Sequence, residues 1–342
     1  MINFKIVKNC FIIAEISANH GQSFKRAVNL IKKAKECGAD AVKFQCYTPD
    51  TLTVDCGNKY FRIEHPKWGG QTLYQLYKKA YTPWSWFKKL KRIADDLGLL
   101  FFATAFDKTS VDFLEELNVP IHKIASFELV DLPLIEYAAK TKKPLILSTG
   151  MATMQEIKEA VHTAKKASTK DIIILKCVSS YPAKYKEMNL RTIPDMRKRF
   201  KLPIGLSDHT LGIATSVAGV CLGAKLIEKH FTLSRKLKTP DSFFSVEPRE
   251  LKELVSNIRI TEKALGDIHY GLTKQEKKSR VFRRSLFAVK DIKKGEVLTE
   301  ENIRSVRPAN GVLPKYYNML LGKKVSCDIK KGTPLKWKFL LK

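Results

Sequence analysis

The amino-acid sequence contains no long apolar segment. Nowhere in its 342 residues is there a run of about 18 uncharged apolar residues, the length that a membrane-spanning helix needs. The first residues, MINFKIVKNCFIIAEI, also lack the long apolar stretch and small-residue cleavage site of a secretory signal. We therefore expect a soluble, unprocessed, cytoplasmic protein without a membrane partner.

Cysteines are scattered, and the seven present form no Cys-x-x-Cys pair. An odd number without such spacing argues against a disulfide framework and against a zinc site made of thiolates. We therefore expect reduced thiols, with Cys46 and Cys177, which lie in or next to strand-like segments, packed in the protein interior.

Acidic residues are few beside basic ones, 34 Asp and Glu against 62 Lys and Arg, which gives a formal net charge of +28. Such a charge suggests nucleic-acid binding at first, because clustered basic side chains neutralise phosphates. Here the basic residues are spread over helical patterns and have no recognition motif beside them. We therefore predict solvated helix faces that also steer an anionic substrate, and nucleic-acid binding is the less favoured alternative.

Short apolar segments alternate with amphipathic ones up to about residue 266, which is typical of strand–helix units around a parallel sheet. The predicted strands span residues 11–16, 41–45, 99–104, 122–126, 144–148, 172–176, 203–207 and 226–230. About eight strands, with no Gly-x-Gly-x-x-Gly motif after the first, favour a closed (β/α)8 TIM barrel over an open doubly wound sheet. We assign this α/β barrel to residues 1–266.

The pattern changes after residue 266. A charged linker is predicted at 267–283, followed by a small β-rich domain at 284–342 in which the segment KDIKKGE recurs as DIKKGT. Short strands and Gly turns leave this domain little apolar core of its own. We therefore expect it to pack on a partner surface.

Polar side chains stand at or just after the end of nearly every predicted strand. In a (β/α)8 barrel the active site is assembled from these C-terminal strand ends. A turn or a cap explains any single residue but would have to be invoked many times, so we predict that they converge on one pocket. They are Glu15, Asn19, His20, Lys43, Gln45, Thr104, Lys123, Ser126, Glu128, Ser148, Ser179, Tyr181, Ser207, His209 and His230.

Two histidines end consecutive strands, the seventh and the eighth. A barrel places His209 and His230 side by side, and two neutral imidazoles suit a divalent ion such as manganese, cobalt or zinc. Either histidine alone would more often be a hydrogen-bonded structural residue. Asp208 could orient a ligand from behind, or form a turn or helix cap.

Two lysines lie within apolar strands, where an unpaired ammonium group would cost several kcal/mol. An anionic ligand would compensate both Lys43 and Lys123, and nearby hydroxyl groups would complete a phosphate and carboxylate site. The alternatives are internal ion pairs with Glu15 and Glu128, or a lysine that forms a Schiff base in an aldolase. The hydroxyl groups belong to Ser126, Ser148, Ser179 and Ser207.

Eight segments resemble the sialic acid synthase family, in order and through nearly the whole chain. They are AEISANHG (14–21), VKFQCYTPD (42–50), HKIASFE (122–128), LSTGMAT (147–153), KCVSSYP (176–182), GLSDHTLG (205–212), IEKHFTL (227–233) and SVRPANG (305–311). The resemblance implies a (β/α)8 barrel joined to a C-terminal antifreeze-like (SAF) domain. It also implies condensation of phosphoenolpyruvate with an amino-sugar aldehyde to give a nine-carbon 2-keto acid and phosphate.

The resemblance further implies roles for individual residues. His209 and His230 are implied to bind a divalent ion, which is manganese, magnesium or cobalt, and Glu15 and Glu128 to be the active-site carboxylates. Arg307 is implied to reach the sugar in the partner's barrel of a domain-swapped homodimer. The residues implied to surround phosphoenolpyruvate are Lys43, Thr104, Lys123, Ser126, Ser148, Ser179 and Ser207, and those implied to contact the sugar, besides Arg307, are Gln45, Tyr181 and Asp241.

Within the family, the segments 73–87, 176–182 and 306–324 are most similar to the pseudaminic acid synthase branch. Ser179 stands where the N-acetylneuraminic acid branch commonly has asparagine. The resemblance then implies 2,4-diacetamido-2,4,6-trideoxy-L-altrose as the sugar, with N-acetylneuraminic acid or legionaminic acid synthesis as the alternative.

This implied sugar lacks the terminal hydroxyl group of N-acetylmannosamine. Its pocket should therefore be more apolar at that end. Trp84, Trp86 or Phe127 could supply the apolar surface, with core packing as the alternative for each.

Overall fold

The structure, a computed structural model, describes residues 9–169 and 171–341. The chain divides into two units, one that ends at Gly266 and one that begins at Asp267. In the described part of the chain, every helix is too short or too polar to traverse a lipid bilayer.

The first unit contains eight parallel strands that close into a barrel. Their order around the barrel follows the chain, and β1 pairs with both β2 and β8. The strands are β1 (Phe11–Glu15), β2 (Ala41–Cys46), β3 (Leu100–Ala105), β4 (His122–Ile124), β5 (Leu145–Ser148), β6 (Ile172–Cys177), β7 (Ile204–Asp208) and β8 (Leu226–His230). Each overlaps a predicted strand, and the predicted TIM barrel is confirmed.

Helices cover the outside of the barrel. They are α1 (Phe24–Glu36), α2 (Pro49–Leu52), α3 (Leu73–Ala80), α4 (Trp84–Asp96), α5 (Lys108–Glu116), α6 (Leu132–Lys140), α7 (Met154–Lys166), α8 (Thr192–Phe200), α9 (Ala214–Cys221) and α10 (Pro248–Leu265). In α1 the side chains at three- and four-residue spacing are buried, namely Ala27, Leu30, Ile31 and Ala34. The strands are thus enclosed by helices and are mostly apolar.

The second unit packs around a separate core. It contains α11 (Lys274–Ser279), β9 (Ser285–Ala288), β10 (Ile303–Val306) and α12 (Tyr317–Leu320), and β9 pairs antiparallel with β10. The segment 267–283, predicted as a linker, carries α11. The core includes Leu286, Ala288, Ile292, Leu298, Ile303, Leu320, Val325, Ile329 and Leu335.

The repeated KKG sequence of the second unit is also a structural repeat. The carboxylate of Asp328 accepts a hydrogen bond of 2.9 Å from the backbone N–H of Lys294. In the other copy, Asp291 accepts one of 2.8 Å from the backbone N–H of Lys331. Each copy therefore closes the turn of the other, which explains why the same residues recur about forty positions apart.

Candidate active site

Side-chain alternation along β7 and β8 decides which polar groups enter the barrel, because successive residues of a strand point to opposite faces. Ser207 and Glu228 lie on the inner face, where the hydroxyl group is 3.3 Å from the carboxylate. Asp208 and Lys229 lie on the outer face and form a buried ion pair of 2.9 Å. The two histidines, each two positions beyond an inner residue, therefore share the inner side of the barrel mouth.

His209 and His230 lie side by side at this mouth. Their ring centroids are 5.3 Å apart and both side chains are buried. His209 Nδ1 donates a hydrogen bond of 2.8 Å to the carbonyl oxygen of Val178, so in the neutral ring the lone pair is on Nε2. Among the described residues, buried His230 Nδ1 has no hydrogen-bond partner, and it lies 3.8 Å from Asp241 Oδ2.

The two imidazoles fit a divalent ion held by two protein ligands. An imidazole nitrogen binds such an ion at about 2.1 Å, so rings at this spacing can reach the same ion. Burial, aided by the charges of Lys43, Lys229 and Lys123, lowers the pKa of His230 well below its usual range, which favours the neutral, metal-binding imidazole. The described residues contain no group of three His, Cys, Asp or Glu side chains suited to a metal, so water or substrate would supply the other ligands.

Two buried lysines face a shared carboxylate inside the barrel. Lys43 Nζ lies 2.5 Å from Glu15, and Glu228 lies 3.8 Å from both Lys43 and Lys123. The ion-pair alternative therefore holds for Lys43 with Glu15. It is wrong for Lys123, whose carboxylate partner among the described residues is Glu228 and not Glu128.

Reasoning from strand ends overlooks Glu228, because this residue lies two positions before His230, the last residue of β8. Burial raises its pKa, but the attraction of Lys123 and Lys43 outweighs burial and holds the pKa below its usual range. Glu228 is therefore ionised and holds both ammonium groups in place. The signal that could have found it is the two-residue spacing in LIEKH, which puts Glu228 on the same face as His230.

Serine hydroxyl groups surround the lysines. The Ser148 hydroxyl accepts a hydrogen bond of 2.7 Å from Lys123. Ser126 accepts one of 3.0 Å from the backbone N–H of Gly150, and a Cβ at Gly150 would lie only 2.0 Å from Ser179 Oγ. Glycine at this position therefore lets both hydroxyl groups converge. Within the described residues, buried Ser179 Oγ has no hydrogen-bond partner, so it is free to bind a ligand.

Comparison with known protein families decides the assignment of the chain. The model of the NeuB family matches residues 30–270, well over half of the chain. The chain belongs to the NeuB family. The SAF domain model matches residues 283–341. The resemblance to sialic acid synthases, which rested on eight short segments, is confirmed.

Relatives in the NeuB family match nearly the full length of this chain. A pseudaminic acid synthase from Campylobacter jejuni is 45% identical over 98% of this chain and 97% of that protein. An N,N'-diacetyllegionaminic acid synthase from the same species is 40% identical over 93% of this chain and 96% of that protein. The crystal structure of an N-acetylneuraminic acid synthetase from Leptospira borgpetersenii is 35% identical, with a TM-score of 0.71 over 79% of this chain and 90% of that chain.

The residues implied to contact the sugar in this NeuB-family chain are only partly gathered in the barrel. Tyr181 packs on His209 with ring centroids 4.4 Å apart. Asp241 accepts a hydrogen bond of 3.3 Å from a backbone N–H of the loop after β1. Gln45 lies near the end of β2, and Arg307 belongs to the second unit, where its implied role remains a prediction.

Trp84 and Trp86, considered above for the apolar surface of the sugar pocket, pack elsewhere. Trp84 stacks on Phe113 at 4.5 Å, and Trp86 packs edge-on against Phe24 at 5.5 Å. Both rings pack against the core between barrel and helices, so the core-packing alternative holds for them. Phe127 lies after β4 and is 58% exposed.

Other aromatic rings form the apolar surface beside the histidines. Phe244 packs on His230 with ring centroids 4.8 Å apart, and Tyr181 lies 5.1 Å from Phe244. Trp68 and Phe243 extend this surface, at 5.8 Å from Tyr181 and 5.1 Å from Phe244 respectively. We call Trp68, Tyr181, Phe243 and Phe244 the aromatic wall.

Glu128 follows β4 and holds a proton near neutral pH. Burial raises the pKa of its carboxyl group from 4.5 to about 7. Glu128 Oε2 is buried and has no hydrogen-bond partner in the described part of the chain. A carboxyl group that is still partly protonated at neutral pH is suited to donate a proton in a reaction.

We expect Glu128→Gln to weaken the pH dependence of stability. The folded protein keeps the Glu128 proton up to about pH 7, whereas the unfolded chain loses it near pH 4.5. Glu128 therefore makes the free energy of unfolding fall as the pH rises from about 4.5 through 7, and its contribution is at most about 3 kcal/mol. Glutamine does not titrate and removes this contribution, while Glu15, whose pKa burial also raises to about 7, keeps its own.

Urea denaturation at about pH 5 and about pH 8, without ligands, measures the effect. Glu253→Gln, on the exposed face of α10, is the control and should keep the wild-type pH dependence. An unchanged pH dependence in Glu128→Gln would show that this carboxyl group does not retain its proton on folding.

Proposed function

We propose that this chain acts as a pseudaminic acid synthase. It condenses phosphoenolpyruvate with 2,4-diacetamido-2,4,6-trideoxy-L-altrose and releases phosphate. The observation that carries the proposal is the pair of buried ammonium groups of Lys43 and Lys123, set beside two imidazoles at the mouth of a NeuB-family barrel. Relatives that match nearly the whole chain, and that include pseudaminic acid synthases, support it.

Phosphoenolpyruvate carries a phosphate and a carboxylate, and the two lysines would bind them. The hydroxyl group of Thr104 accepts a hydrogen bond of 2.8 Å from Lys43, which holds that ammonium group in place. Ser126 and Ser179 add hydroxyl donors within the same pocket. Preplaced charges and donors of this kind bind an anion without paying for reorganisation.

His209 and His230 would hold a divalent ion, which we take to be manganese, magnesium or cobalt. When bound, this ion supplies Lewis-acid polarisation of the sugar aldehyde. The hydrogen bond from His209 to Val178 fixes the orientation of the first ring. Asp241, next to His230, would orient the second ring or contact the sugar.

The reaction forms one carbon–carbon bond and one carbon–oxygen bond from water, and it breaks the carbon–oxygen bond to phosphate. C3 of phosphoenolpyruvate attacks the aldehyde carbon, water adds at C2, and the resulting tetrahedral species loses phosphate. Glu128 would donate its proton to the aldehyde oxygen as that oxygen becomes a hydroxyl group. Glu15, paired with Lys43, would orient the attacking water and accept its proton.

The aromatic wall supports a 6-deoxy sugar. It presents ring surface next to His209 and His230, along which the carbon chain of a bound sugar would extend. A methyl group gains by covering this surface, whereas a hydroxyl group there would lose hydrogen bonds to water.

Phosphate release from phosphoenolpyruvate, measured with a panel of amino sugars, tests the proposal. We expect 2,4-diacetamido-2,4,6-trideoxy-L-altrose to give the highest kcat/KM. A higher value with N-acetylmannosamine or with the legionaminic acid precursor would assign the chain to one of the alternative synthases. Oxygen from labelled water should enter the keto acid, and label found only in phosphate would exclude the carbon–oxygen cleavage.

We further propose a domain-swapped homodimer in which Arg307 reaches the partner's sugar. His230→Ala and Arg307→Ala should each be inactive alone. In a mixed dimer, however, one site has both an intact barrel and an intact arginine. Co-expression of the two variants should therefore restore about a quarter of wild-type activity, because half of the randomly formed dimers are mixed and each has one working site. No recovery would mean that Arg307 does not act across subunits.

A further inference from the structure

A buried ion pair lies behind the two histidines, on the outer face of the barrel, and takes no part in the chemistry described above. We propose that Asp208 and Lys229 are positioning residues, which set the spacing of His209 and His230 and thereby the affinity for the divalent ion. This inference rests on the metal site of the proposed function and adds to it the part of the fold that holds the two ligands together.

Lys229 connects the two strand ends directly. Its ammonium group donates a hydrogen bond of 2.9 Å to Asp208 Oδ2 and one of 2.5 Å to the carbonyl oxygen of Thr210. These two acceptors flank His209 in the sequence, and Lys229 itself precedes His230. One side chain therefore ties both neighbours of the first histidine to the backbone that carries the second.

Asp208 completes the arrangement. Its Oδ1 accepts hydrogen bonds from the backbone N–H of Thr210 at 2.9 Å and from the Thr210 hydroxyl group at 2.7 Å. Its Oδ2 accepts one of 2.6 Å from Ser216 in α9. The turn that carries His209 is thus closed by Asp208 and anchored to a helix outside the barrel. Of the sequence-based alternatives for Asp208, the turn is present, and the ligand-orienting role is the one proposed here.

The energetics favour a geometric role. Asp208 and Lys229 are each only 1% exposed, and a buried ion pair is often no more stable than apolar side chains of similar volume. Stability alone therefore gives little reason to place charges here. Because both side chains face away from the inner surface, neither can be a ligand of the ion, and the pair acts on it through the positions of the two histidines and through two charges of opposite sign.

The affinity for Mn²⁺, measured by titration calorimetry without substrate, tests this inference. Asp208→Asn and Lys229→Met should each weaken Mn²⁺ binding about 10- to 100-fold, as the loss of outer partners of metal ligands typically does. The double variant should bind Mn²⁺ about as weakly as either single variant, because the two residues act as one unit.

Asp40→Asn is the matched control. Asp40 forms an ion pair of 3.2 Å with Arg259 and precedes β2, at the opposite end of the barrel from the histidines. Its loss should lower stability and leave the Mn²⁺ affinity within about twofold of the wild type. The comparison separates loss of stability from displacement of the ligands.

The outcomes are distinguishable. If His230→Ala binds Mn²⁺ as tightly as the wild type, the proposed metal site itself is wrong. If His230→Ala loses binding while the folded pair variants keep wild-type affinity, the metal site stands and the positioning role is wrong. Should the pair variants not fold, Ser216→Ala, which removes only one hydrogen bond to Asp208, decides: several-fold weaker binding supports the role and unchanged binding overturns it.

Discussion

Replacement of His230 by alanine is expected to lower turnover about a thousandfold or more, while the barrel stays folded. Lewis-acid polarisation contributes several kcal/mol to such a reaction, and each 1.36 kcal/mol corresponds to a factor of ten in rate. With one imidazole removed, only His209 would remain to hold the ion. Phosphate release at saturating phosphoenolpyruvate and Mn²⁺ measures the loss. EDTA should cause the same loss in the wild type, and added Mn²⁺ should reverse it.

His122→Gln is the control for this substitution. His122 is also a buried histidine of the barrel, but it begins β4 and therefore lies at the end of the barrel opposite the mouth. Its Nε2 is 2.7 Å from a carboxylate oxygen of Glu115. Glutamine can keep this hydrogen bond, so activity should change little. If His230→Ala retains more than about a tenth of wild-type turnover, or if EDTA-treated protein remains active, the two histidines do not hold a metal that the reaction needs.

The fold and the histidine pair could be predicted because each depends on local pattern. Parallel strands enclosed by helices appear as short apolar segments, and a closed barrel brings consecutive strand ends together. His209 and His230 therefore had to be neighbours once β7 and β8 were recognised. Lys43 and Lys123 stood out for a similar reason, because charge is rare in a buried strand.

Side-chain contacts between residues far apart in the sequence could not be predicted. Trp68 lies between α2 and α3, and it joins the aromatic wall through contacts with Tyr181 and Phe243, more than a hundred residues away. For Trp84 the core-packing alternative holds, but the sequence offers no means of placing Trp68. The pairing of Lys123 with Glu228 likewise depends on which inner side chains meet across the barrel.

Replacement of Glu228 by glutamine should destabilise the ligand-free protein by about 3–5 kcal/mol, because it leaves two buried ammonium groups without their shared carboxylate. Lys43 keeps Glu15 at 2.5 Å, but Lys123 then retains only the hydroxyl group of Ser148 as a partner among the described residues. Urea denaturation of wild type and variant measures the change.

Phosphoenolpyruvate should restore part of this lost stability. The substrate supplies negative charge to the same ammonium groups, so the rise in Tm on adding saturating phosphoenolpyruvate should be larger for Glu228→Gln than for the wild type. Glu115→Gln, which removes the ion pair with Lys143 and the carboxylate next to His122 elsewhere on the barrel, should show the wild-type rise. A smaller rise in Glu228→Gln than in the wild type would mean that the lysines beside this carboxylate do not receive the anion. In that case another part of the barrel mouth would have to bind phosphoenolpyruvate.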